Sequence, residues 1–560
     1  MPVLQFKGKS VIETYHHVVP HHRLEFVPKL SVLPKGTRPS LDGNLIIEGD
    51  NLLALKALLP THAGKVKCIY IDPPYNTGNE QWVYNDNLTQ PQFKEWIGQT
   101  VGKEGEDACR HDKWCCMMYP RLALLKELLR EDGIIFVSID FTEVGNLRLI
   151  MDDVFGPENF LADIAWEKRY TRSNNAKLFY SLKDTLMVYR KSGDVQFLRE
   201  DRTPKSDGNY RNPDNDPRGS WTTSSYVNPA TKEQRPNLVY KIRNSRTGRL
   251  VDHETHAWKY SKETHEQHVA DNRLWWGEDG QAKYPRLKLF KGDEGLVPID
   301  VWHWQTSGTS DEGGTTLKEI FGSAVFENPK PVRLIRRILQ LATDPDNGDI
   351  VLDSCAGSGT TAHAVLEQNL EDNGNRRFLL IQQAYDTKDD EKAPRNIAEQ
   401  ITCERVRRVV SGYARQTDDG ETTKVPGLGG SFSYVRLGDR LFGEYRDLGE
   451  KLPAFDEIAR YIFYTETSRD CDPGKFDPES GFIGSTKAAG GTSYYLLYTP
   501  NHKEDREMSL ETLKALAKKD KNRNWVIYCE KVWLHPDQLR KFELEHGRHV
   551  RAMLVPFNLK

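Results

Sequence analysis

Short apolar runs alternate with helical patterns in two separate stretches of this chain, residues 41–165 and residues 326–425. Apolar runs bounded by turn residues predict buried strands, and apolar residues spaced three and four apart predict amphipathic helices. Strands that alternate with helices indicate an α/β fold built on a mostly parallel sheet. The predicted elements of the first stretch are strands at Leu45–Glu48, Val66–Ile71 and Ile134–Ile139 and helices at Leu52–Leu59, Arg121–Arg130 and Glu143–Val154.

The second stretch continues the same alternation far along the chain. Because a sheet of this kind can be interrupted by an insertion without moving its strand ends, we expect the two stretches to be two halves of one sheet. The predicted elements of this half are strands at Asp349–Asp353 and Phe378–Ile381 and helices near Leu334–Leu341, after Thr360 and around Ile397–Val410.

Two regions lack the alternation. Residues 1–40 carry several prolines and histidines, and we predict an irregular N-terminal arm or lid there. Residues 166–325 are rich in Asn, Asp, Gly, Arg and Trp and contain dense turns such as Asn212–Pro217. We interpret this region as a domain inserted between the two halves of the sheet.

A further α/β-like unit is predicted at residues 431–560, after a glycine-rich linker at Pro426–Gly430. Its helix is predicted at Leu510–Ala517 and its strands at Trp525–Cys529 and Val550–Val555. The unit has no recognisable chemistry, so an interaction role with a partner or a second copy is the hypothesis for it.

Composition places the chain among multidomain proteins of the cytoplasm. A chain of 560 residues with 38% hydrophobic content can bury several cores. No apolar run approaches the roughly 20 residues of a membrane span, and the start Met1–Phe6 lacks a secretory signal. Eight cysteines without a Cys-x-x-Cys pair favour a reducing compartment over a disulfide framework.

The first chemical motif is Asp72-Pro73-Pro74-Tyr75, directly after the predicted strand Val66–Ile71. Two prolines fix two φ angles and remove two backbone N–H groups, which leaves a stiff loop. The Asp72 carboxylate and the Pro73 carbonyl can each accept a hydrogen bond from a planar amino group, and Tyr75 offers a ring for stacking. The motif thus suits the binding of a nucleobase amine, and the alternative is a plain surface turn.

The second motif is the glycine turn at Ser354–Thr361, which follows the strand Asp349–Asp353. Gly357 and Gly359 allow close backbone approach to a ligand, and Thr360 opens a helix whose first amides are free donors. The turn lacks the lysine of a phosphate-binding loop and the third glycine of a dinucleotide fingerprint. Together with the first motif it points to S-adenosylmethionine.

With both motifs in this order, the chain resembles the permuted group of amino-methylating DNA methyltransferases. It is most similar to the modification subunits of type III restriction-modification systems, and the likeness runs from about Asn44 to Arg408. The segments that carry it, besides the two motifs, are Glu48–Leu52, Arg110–Trp114, Gly133–Asp140 and Asn328–Pro331.

The resemblance implies a Rossmann-like methyltransferase sheet and a set of site residues. Residues 41–165 would be the catalytic half, residues 166–325 the target-recognition region and residues 326–425 the cofactor-binding half. The implied catalytic residues are Asp72, Pro73, Pro74 and Tyr75, with Tyr75 and Asn76 binding the base. The implied residues for S-adenosylmethionine are Asp50, Lys330, Asp353, Ala356, Gly357, Gly359, Thr360 and Gln382.

Two of these residues have structural alternatives, and one position departs from the family pattern. Asp50 could instead cap the helix that follows it, a role compatible with ligand binding. Lys330 could be a surface lysine between two prolines. Cys355 replaces the more usual aromatic residue, which bears on how tightly the cofactor packs.

The implied reaction is methyl transfer to adenine N6 in duplex DNA. An amino group conjugated to a base ring is a poor nucleophile, so positioning of its lone pair dominates over acid–base chemistry. A paired base must be flipped out of the helix, and Tyr75 would supply stacking that offsets the lost stacking. By resemblance, Asp in the first motif position favours adenine N6 over cytosine N4. RNA and protein glutamine are weaker alternatives.

Charge is distributed unevenly, which bears on a DNA partner. The net charge is −3, but residues 161–250 contain 18 Lys and Arg against 10 Asp and Glu. This local excess of basic residues predicts a DNA contact, with a solvated basic face as the alternative. Aromatic residues in or near the window favour the contact: Trp166, Tyr170, Trp221, Trp258, Trp275, Trp276, Trp302 and Trp304.

No metal site is predicted. His16, His17, His21 and His22 cluster without cysteine or carboxylate at ligand spacing, and we interpret them as solvated. Another cluster, formed by Cys109, His111, Cys115 and Cys116, precedes an amphipathic helix, and the cysteine pair is expected on its buried side.

The remaining hypotheses concern partners. The resemblance implies a homodimer and a restriction or helicase subunit, and the sequence leaves both open, together with the recognised DNA sequence. A scaffold or specificity subunit without catalysis, in a phage-defence complex, is the alternative from a different functional class.

Overall fold

The computed structural model describes residues 4–77, 107–172, 178–292, 294–385, 395–416, 421–442, 452–487, 491–500 and 506–555. The chain divides into two compact units. The first, called the core unit here, comprises Met1–Gln196 and Ile299–Lys560, and the second, called the insert unit, comprises Phe197–Pro298.

Twenty-five strands are found in the described residues. In chain order they are β1 (His22–Phe26), β2 (Leu45–Glu48), β3 (Val66–Ile71), β4 (Leu129–Ile139), β5 (Phe160–Glu167), β6 (Lys183–Arg190), β7 (Trp221–Ser225), β8 (Val227–Thr231), β9 (Ile242–Arg243), β10 (Leu250–Val251), β11 (His256–Trp258), β12 (Leu274–Trp275), β13 (Arg286–Phe290), β14 (Val301–Trp302), β15 (Ile350–Asp353), β16 (Arg377–Gln382), β17 (Gly412–Gln416), β18 (Thr422–Pro426), β19 (Ser433–Arg440), β20 (Phe482–Thr486), β21 (Thr492–Leu497), β22 (Glu507–Met508), β23 (Asn524–Cys529), β24 (Lys531–Val532) and β25 (His549–Leu554).

The helices of the described residues connect and cover these strands. They are α1 (Lys9–Ile12), α2 (Tyr15–Val18), α3 (Asn51–His62), α4 (Asp107–Leu128), α5 (Val144–Phe155), α6 (Pro204–Asp207), α7 (Lys262–Ala270), α8 (Trp304–Ser307), α9 (Ser310–Phe321), α10 (Val332–Ala342), α11 (Thr360–Asp372), α12 (Glu404–Ser411), α13 (Phe455–Thr467), α14 (Leu510–Lys519) and α15 (Pro536–His546). A π-helical segment, Ala398–Cys403, leads into α12, and short 3₁₀ turns occur at Pro157–Asn159, Pro236–Leu238 and Pro473–Lys475.

One ten-stranded sheet organises the core unit, in the order β1-β19-β2-β16-β15-β3-β4-β6-β5-β14. All neighbours from β19 to β4 run parallel. β6 is antiparallel to both β4 and β5, and β1 is antiparallel to β19. The carboxyl ends of β2, β16, β15, β3 and β4 therefore share one edge, where an α/β sheet binds its ligands.

The central strands are apolar throughout because both of their faces are covered. In β3, Ile69 and Ile71 pack into a cluster with helices α3, α4 and α5, while the alternate residues Cys68 and Tyr70 are equally buried outside that cluster. A strand buried on both faces reads as a continuous apolar run, which is why the sequence predicts these strands well. The α/β prediction for both halves of the sheet is confirmed.

The helix before β4 is longer than predicted. We expect it at Arg121–Arg130 from the apolar pattern, although proline is usually tolerated only in a first helical turn. The structure carries α4 through Pro120 from Asp107, and β4 begins at Leu129, five residues before the predicted strand. The residues Arg130–Gly133 interrupt the apolar run that predicts a buried strand, so the first part of β4 was not predicted.

Part of the N-terminal region, His22–Phe26, joins the sheet, whereas most of residues 27–40 are irregular as predicted. β1 pairs with β19, with Phe26 opposite Val435. An edge strand has one ladder partner, here more than 400 residues away, so local pattern gives little signal for it. β19 also places the end of the main sheet beyond the predicted linker at Pro426–Gly430.

The C-terminal part of the core unit has its own four-stranded sheet, in the order β20-β21-β23-β25. β21, β23 and β25 run parallel, and α13 packs in a cluster on one side while α14 and α15 pack in another. The predicted α/β character of this part is confirmed. Across the described residues, no helix is both long and apolar enough to cross a membrane.

The insert unit is built from short strands around a small aromatic core. Tyr226, Trp258 and Trp276 form its buried centre with three aliphatic residues. Trp221 is also buried, as are Trp166 and Trp302 in the core unit. These five tryptophans fill cores and do not present their rings to a partner, so they do not support the predicted DNA contact. Of the other predicted aromatic residues, Tyr170 is exposed and Trp275 and Trp304 are partly buried. Composition alone does not separate a buried tryptophan from an exposed one.

Candidate active site

The two prolines after β3 stiffen the loop that carries the predicted catalytic residues. Each proline ring fixes its own φ angle, and neither residue has a backbone N–H to donate. Trp114, which is buried in α4, donates its indole N–H to the carbonyl oxygen of Pro74 over 2.7 Å. The loop is tied to the helix behind it, and Asp72 and Tyr75 therefore leave the sheet in fixed directions.

Asn76 ends this loop in a left-handed backbone conformation, with a φ of 59°. Asn tolerates that region better than most residues. The buried Asn76 amide donates to the Glu143 carboxylate, which also contacts His111 Nδ1 and Asn146 Nδ2, each at 2.7 Å. Glu143 is completely buried, so it acts as a fixed anchor for the far end of the loop. No sequence pattern marks this anchor, because its members lie on separate elements.

The Asp72 carboxylate and the Lys330 ammonium form the centre of the site. Lys330 Nζ contacts one Asp72 oxygen and lies 5.2 Å from the centroid of the Tyr75 ring. The other Asp72 oxygen and the Tyr75 hydroxyl are buried without a hydrogen-bond partner among the described residues. Burial, and then the charge of Asp72, raises the pKa of Tyr75 well above its usual value, so the phenol stays neutral. Buried polar atoms without partners indicate a polar ligand.

Lys330 also connects this loop to the glycine turn after β15. Its backbone carbonyl accepts a hydrogen bond from Thr360 Oγ1 over 3.2 Å, while its ammonium contacts Asp72. β15 and β3 are parallel neighbours, with Leu352 opposite Ile69. The two motifs therefore open at the same sheet edge, and the prediction that they converge is confirmed.

The glycine turn is closed by hydrogen bonds within the protein. Gly357 N–H donates to Gln382 Oε1 over 2.7 Å, and Thr402 Oγ1 donates to the Gly357 carbonyl over 2.6 Å. Ala356 N–H donates to a carbonyl of β16 over 3.1 Å, and Gly359 N–H donates to the Ala356 carbonyl over 2.8 Å. These amides are already paired, so the turn offers a ligand a shaped floor and not a row of free donors.

Glycine is required in the turn for two reasons. Gly357 and Gly359 have φ values of +52° and +80°, in the region that favours glycine. A Cβ on Gly359 would also lie 3.3 Å from Thr402, and one on Gly357 would lie 3.1 Å from the Phe326 ring. Both glycines are thus packed against the protein, a constraint that the sequence pattern alone does not show.

Asp353, the last residue of β15, is a buried carboxyl group beneath the turn. One of its oxygens accepts from Cys355 N–H over 3.0 Å and the other from Thr361 Oγ1 over 2.5 Å. Burial raises the pKa of Asp353 to about 7, and the charge of Asp72 adds to the rise while Lys330 opposes it. A carboxyl group with such a pKa is stabilised in its charged form by a nearby cation.

Asp50 follows β2 and has the capping role that the sequence offered as an alternative. Its Oδ1 accepts from the N–H groups of Leu52 and Leu53 over 2.9 and 3.1 Å, and its Oδ2 lies 3.5 Å from Arg121. Asp50 also lines a cavity of about 350 Å³ at the ends of β2, β16 and β19. The other residues lining it are His22, Glu48, Gly49, Leu53, Ala384, Arg436, Leu437 and Gly438.

A second carboxylate–lysine pair lies at the same edge and was missed from the sequence. Asp184, at the start of β6, accepts from Lys168 Nζ over 2.6 Å and is almost completely buried. β6 is antiparallel to β4, with Thr185 opposite Ile139, so the start of β6 lies beside the end of β4. Burial raises the pKa of Asp184, and the charge of Asp72 raises it further. No short motif marks this pair.

The histidine cluster is solvated only in part, because His17 is exposed as predicted while His16 and His22 are partly buried and His21 is buried. His21 is buried against the Tyr461 ring, and burial lowers its pKa to about 3. His16, His17 and Glu127 bring ligand-type atoms within 4.8 Å of one another. Lys56 Nζ lies 2.9 Å from the His16 carbonyl oxygen, and its charge, after burial and His17, lowers the pKa of His16. That ammonium group would compete with a bound cation.

Comparison with known proteins finds similarity to DNA-modifying enzymes over most of this chain's length. The sequence profile of a family described as DNA methylase matches residues 66–382. The Mod subunit of the type III restriction-modification enzyme StyLTI of Salmonella typhimurium is 34% identical over 388 aligned residues, covering 66% of this chain and 57% of that protein. The EcoPI Mod subunit of Escherichia phage P1 is 32% identical over 373 residues, covering 60% of this chain and 57% of that protein.

A shorter relative matches over more of its own length. The type II methyltransferase M.KpnI of Klebsiella pneumoniae is 30% identical over 353 residues, covering 60% of this chain and 79% of that protein. By contrast, the chain spans 57% of the length of each of the two Mod subunits.

Proposed function

This chain belongs to the DNA methylase family, and from that premise we propose that it transfers a methyl group from S-adenosylmethionine to N6 of adenine in duplex DNA. One observation carries the proposal. The carboxylate of Asp72 and the glycine turn at Thr360 are joined through Lys330 at a single sheet edge. A methyl acceptor and a methyl donor must lie side by side, and this edge provides adjacent places for them.

The loop after β3 would bind the acceptor amine. The free oxygen of Asp72 and the carbonyl of Pro73 would each accept one N–H of the amino group, and the ring of Tyr75 would stack on the base. Hydrogen bonds that hold both amine hydrogens direct the nitrogen lone pair out of the ring plane, toward the donor. The Asp72 oxygen without a partner among the described residues supports this role, because such an acceptor is available to a substrate.

The loop after β3 would also favour flipping of the target base out of the duplex. A base that leaves the duplex loses a few kcal/mol of stacking and pairing, and an aromatic side chain recovers part of that loss. Tyr75 is held in place by the anchored Asn76 that follows it. We therefore propose Tyr75 and Asn76 as the residues that receive the extruded base.

The glycine turn and the adjoining strand ends would hold S-adenosylmethionine. The donor carries a positive charge, and the buried Asp353 carboxyl group fits such a ligand because a nearby cation stabilises its charged form. Asp50 lines the cavity at the ends of β2 and β16, where hydroxyl and amine groups of the nucleoside would find acceptors. The proposed contacts along the floor are Ala356, Gly357, Gly359, Thr360 and Gln382. When bound, the cofactor supplies an activated methyl group.

Lys330 would orient the Asp72 carboxylate and balance its charge. Its ammonium neutralises one oxygen of Asp72 and leaves the other for the substrate, so the carboxylate cannot rotate freely. Lys330 was proposed from resemblance as a cofactor residue. Its contacts with Asp72 and with the Tyr75 ring support a role shared between the cofactor and the base.

Sequence recognition and partners belong to the same proposal. We propose that the region 166–325, which includes the insert unit, reads the DNA target. Two relatives are named as Mod subunits of type III restriction-modification enzymes, which supports a restriction subunit as a partner. A second copy of the chain is proposed from the family resemblance alone. The C-terminal sheet is the candidate surface for such contacts.

The test is expression in a host that lacks DNA methylation, followed by mapping of modified bases in its genome. We expect N6-methyladenine at one short recurring motif, and its loss in the Asp72→Ala variant. A matched control is Asp346→Asn, which removes an exposed carboxylate from the turn before β15. Methylation at cytosine N4 would correct the base, and an unmodified genome with soluble, cofactor-binding protein would reject the enzymatic proposal.

A further inference from the structure

The positive charge of the insert unit is concentrated in one short segment. Residues 234–251, called the basic hairpin here, contain β9, β10 and the 3₁₀ turn Pro236–Leu238. They carry five Lys and Arg and no Asp or Glu, whereas the other residues of the unit carry 13 Lys and Arg against 15 Asp and Glu. Without the basic hairpin, the insert unit would be slightly acidic.

The cations of the basic hairpin are not neutralised. Among the described residues, none of the five has a carboxylate within ion-pair distance. Eight of the other 13 cations in this unit do have one in the described residues. Arg235, Lys241 and Arg243 are exposed, and no described side chain or backbone group pairs with their charged ends. Unpaired exposed cations on one segment create a local positive potential.

The turn of the hairpin is anchored to the rest of the insert unit, which fixes where its side chains leave the backbone. Asn244 is 1% exposed, and its side chain accepts from the N–H groups of Arg246 and Thr247 over 2.9 and 3.1 Å. Its amide donates to the Gly280 carbonyl over 3.0 Å, which ties the turn to the rest of the unit. Arg246 lies over the Trp275 ring at 5.7 Å and donates to a backbone carbonyl.

We propose that the basic hairpin lies along the phosphate backbone of the DNA duplex and makes sequence-independent contacts there. This inference rests on the proposed function and specifies the element of the insert unit that contacts DNA. Double-stranded DNA is the polyanion that fits, because several cations on one segment, without carboxylate partners among the described residues, gain most from a dense array of phosphates. Base-specific contacts would come from other residues.

The test is the salt dependence of duplex binding, measured by fluorescence anisotropy with a labelled duplex of about three helical turns. The variant Lys241→Gln/Arg243→Gln removes two exposed cations of the basic hairpin. Lys259→Gln/Lys262→Gln is the matched control, since it removes two exposed cations of the same unit outside the hairpin. Thermal unfolding of all three proteins checks that the charge changes leave the fold intact.

Each lost phosphate contact reduces the slope of log affinity against log salt by about 0.9. We expect the hairpin variant to show a slope smaller by about 2, so that raising salt from 50 to 200 mM weakens its binding roughly tenfold less than it weakens the unmodified protein. Arg235→Gln alone should lower the slope by about 1. The control should keep the original slope.

An unchanged slope in the hairpin variant, or an equal change in the control, would overturn the inference, as would an unmodified protein that binds no duplex. Methyl transfer is scored separately. A protein that binds duplex through the basic hairpin but methylates no base would reject the proposed function and leave this inference standing. A protein that methylates DNA with a hairpin-independent slope would do the reverse.

Discussion

The loop after β3 and the turn after β15 lie side by side but are built on opposite principles. The first is fixed from outside by side chains, Trp114 and Glu143, and presents side-chain groups into the site. The second is fixed by its own amides and by Gln382 and Thr402, and presents backbone. A loop that presents side chains is more sensitive to changes in the presented groups than to changes in its scaffold. A turn that presents backbone is sensitive to any added atom.

The largest effect is expected from changing Asp72, the group that the loop after β3 presents to the substrate. Asp72→Asn keeps the size of the side chain and removes the charged acceptor. We expect the rate of methyl transfer to fall about 10²- to 10³-fold, the loss typical of one preorganised polar contact to a reacting group. Single-turnover transfer of a labelled methyl group measures the rate, and calorimetry measures cofactor affinity.

The rate of methyl transfer and the cofactor affinity should respond differently to Asp72→Asn. Cofactor affinity should change far less than the rate, because Asp72 belongs to the acceptor loop. An Asp72→Asn protein with normal turnover and weak cofactor binding would show that the loop serves the donor, and the division drawn above would fail.

A glycine-to-alanine substitution tests whether the turn after β15, which presents its backbone, tolerates an added side-chain atom. Gly359→Ala forces an L-residue into a φ of +80° and places its Cβ 3.3 Å from Thr402. Strain of this kind costs about 1–3 kcal/mol, so we expect cofactor affinity to weaken roughly 10- to 100-fold. Gly348→Ala is the matched control, with a φ of +63° and no close atom at the start of β15.

Both variants should lower the free energy of unfolding, but only Gly359→Ala should weaken cofactor binding. Equal affinities in the two variants would mean that the turn does not shape the cofactor site. Urea unfolding and calorimetry on the same preparations make the distinction.

A pH titration of cofactor affinity tests the role of Asp353, the buried carboxyl group beneath the glycine turn. The pKa of Asp353 is raised by burial to about 7, so the carboxyl group loses its proton in the neutral range. A cationic cofactor favours the charged form, and affinity should therefore rise with pH, roughly tenfold from pH 6 to pH 8. Asp353→Asn should flatten this profile, and calorimetry at several pH values tests it.

In the ligand-free protein, the contribution of Asp353 to the free energy of unfolding falls as pH rises, whereas cofactor affinity rises. Because the folded pKa of Asp353 lies above its unfolded value, its stabilising contribution is complete below about pH 4 and is lost as pH rises through about 7. Asp353→Asn should lack this loss. A pH-independent affinity in the unmodified protein would show that Asp353 does not face the cofactor's charge.

The smallest expected effect concerns the support of the first loop. Trp114→Phe removes the donor to the Pro74 carbonyl and should lower the free energy of unfolding by about 1–3 kcal/mol. Trp302→Phe is the control, since Trp302 lies in β14, four strands away from β3, and its buried indole donates to the Ile299 carbonyl. Both should be destabilised in urea titrations, but only Trp114→Phe should slow methyl transfer. Equal rates in the two would mean that the indole does not position the loop.

Local chemistry explains what the sequence could predict. The strand before Asp72 is a continuous apolar run, and Pro73 and Pro74 fix their own conformation, so motif and element appear in neighbouring residues. The same holds for β15 and the turn with Gly357 and Gly359. Parallel strands place their carboxyl ends at one edge, so convergence of the two motifs followed from the fold class.

The parts that escaped prediction depend on contacts between distant residues. Glu143 looks like an ordinary helix-start acid until the fold brings Asn76 and His111 to it. The Lys168–Asp184 pair lies on antiparallel strands with no motif. Tryptophans near a basic window suggested an interface, but Trp258 and Trp276 are buried, because the size that suits a ring to stacking also suits it to a core.

The pairing of β1 with β19 has a consequence for biosynthesis. His22 and Arg440 are partners, so the first strand of the sheet leaves the ribosome about 400 residues before the strand that it must join. At about 5–20 residues per second, the delay is on the order of 20–80 seconds. During translation the early segment therefore has an unmatched backbone edge, and closure of this side of the sheet is a late event that follows synthesis of the whole insert unit.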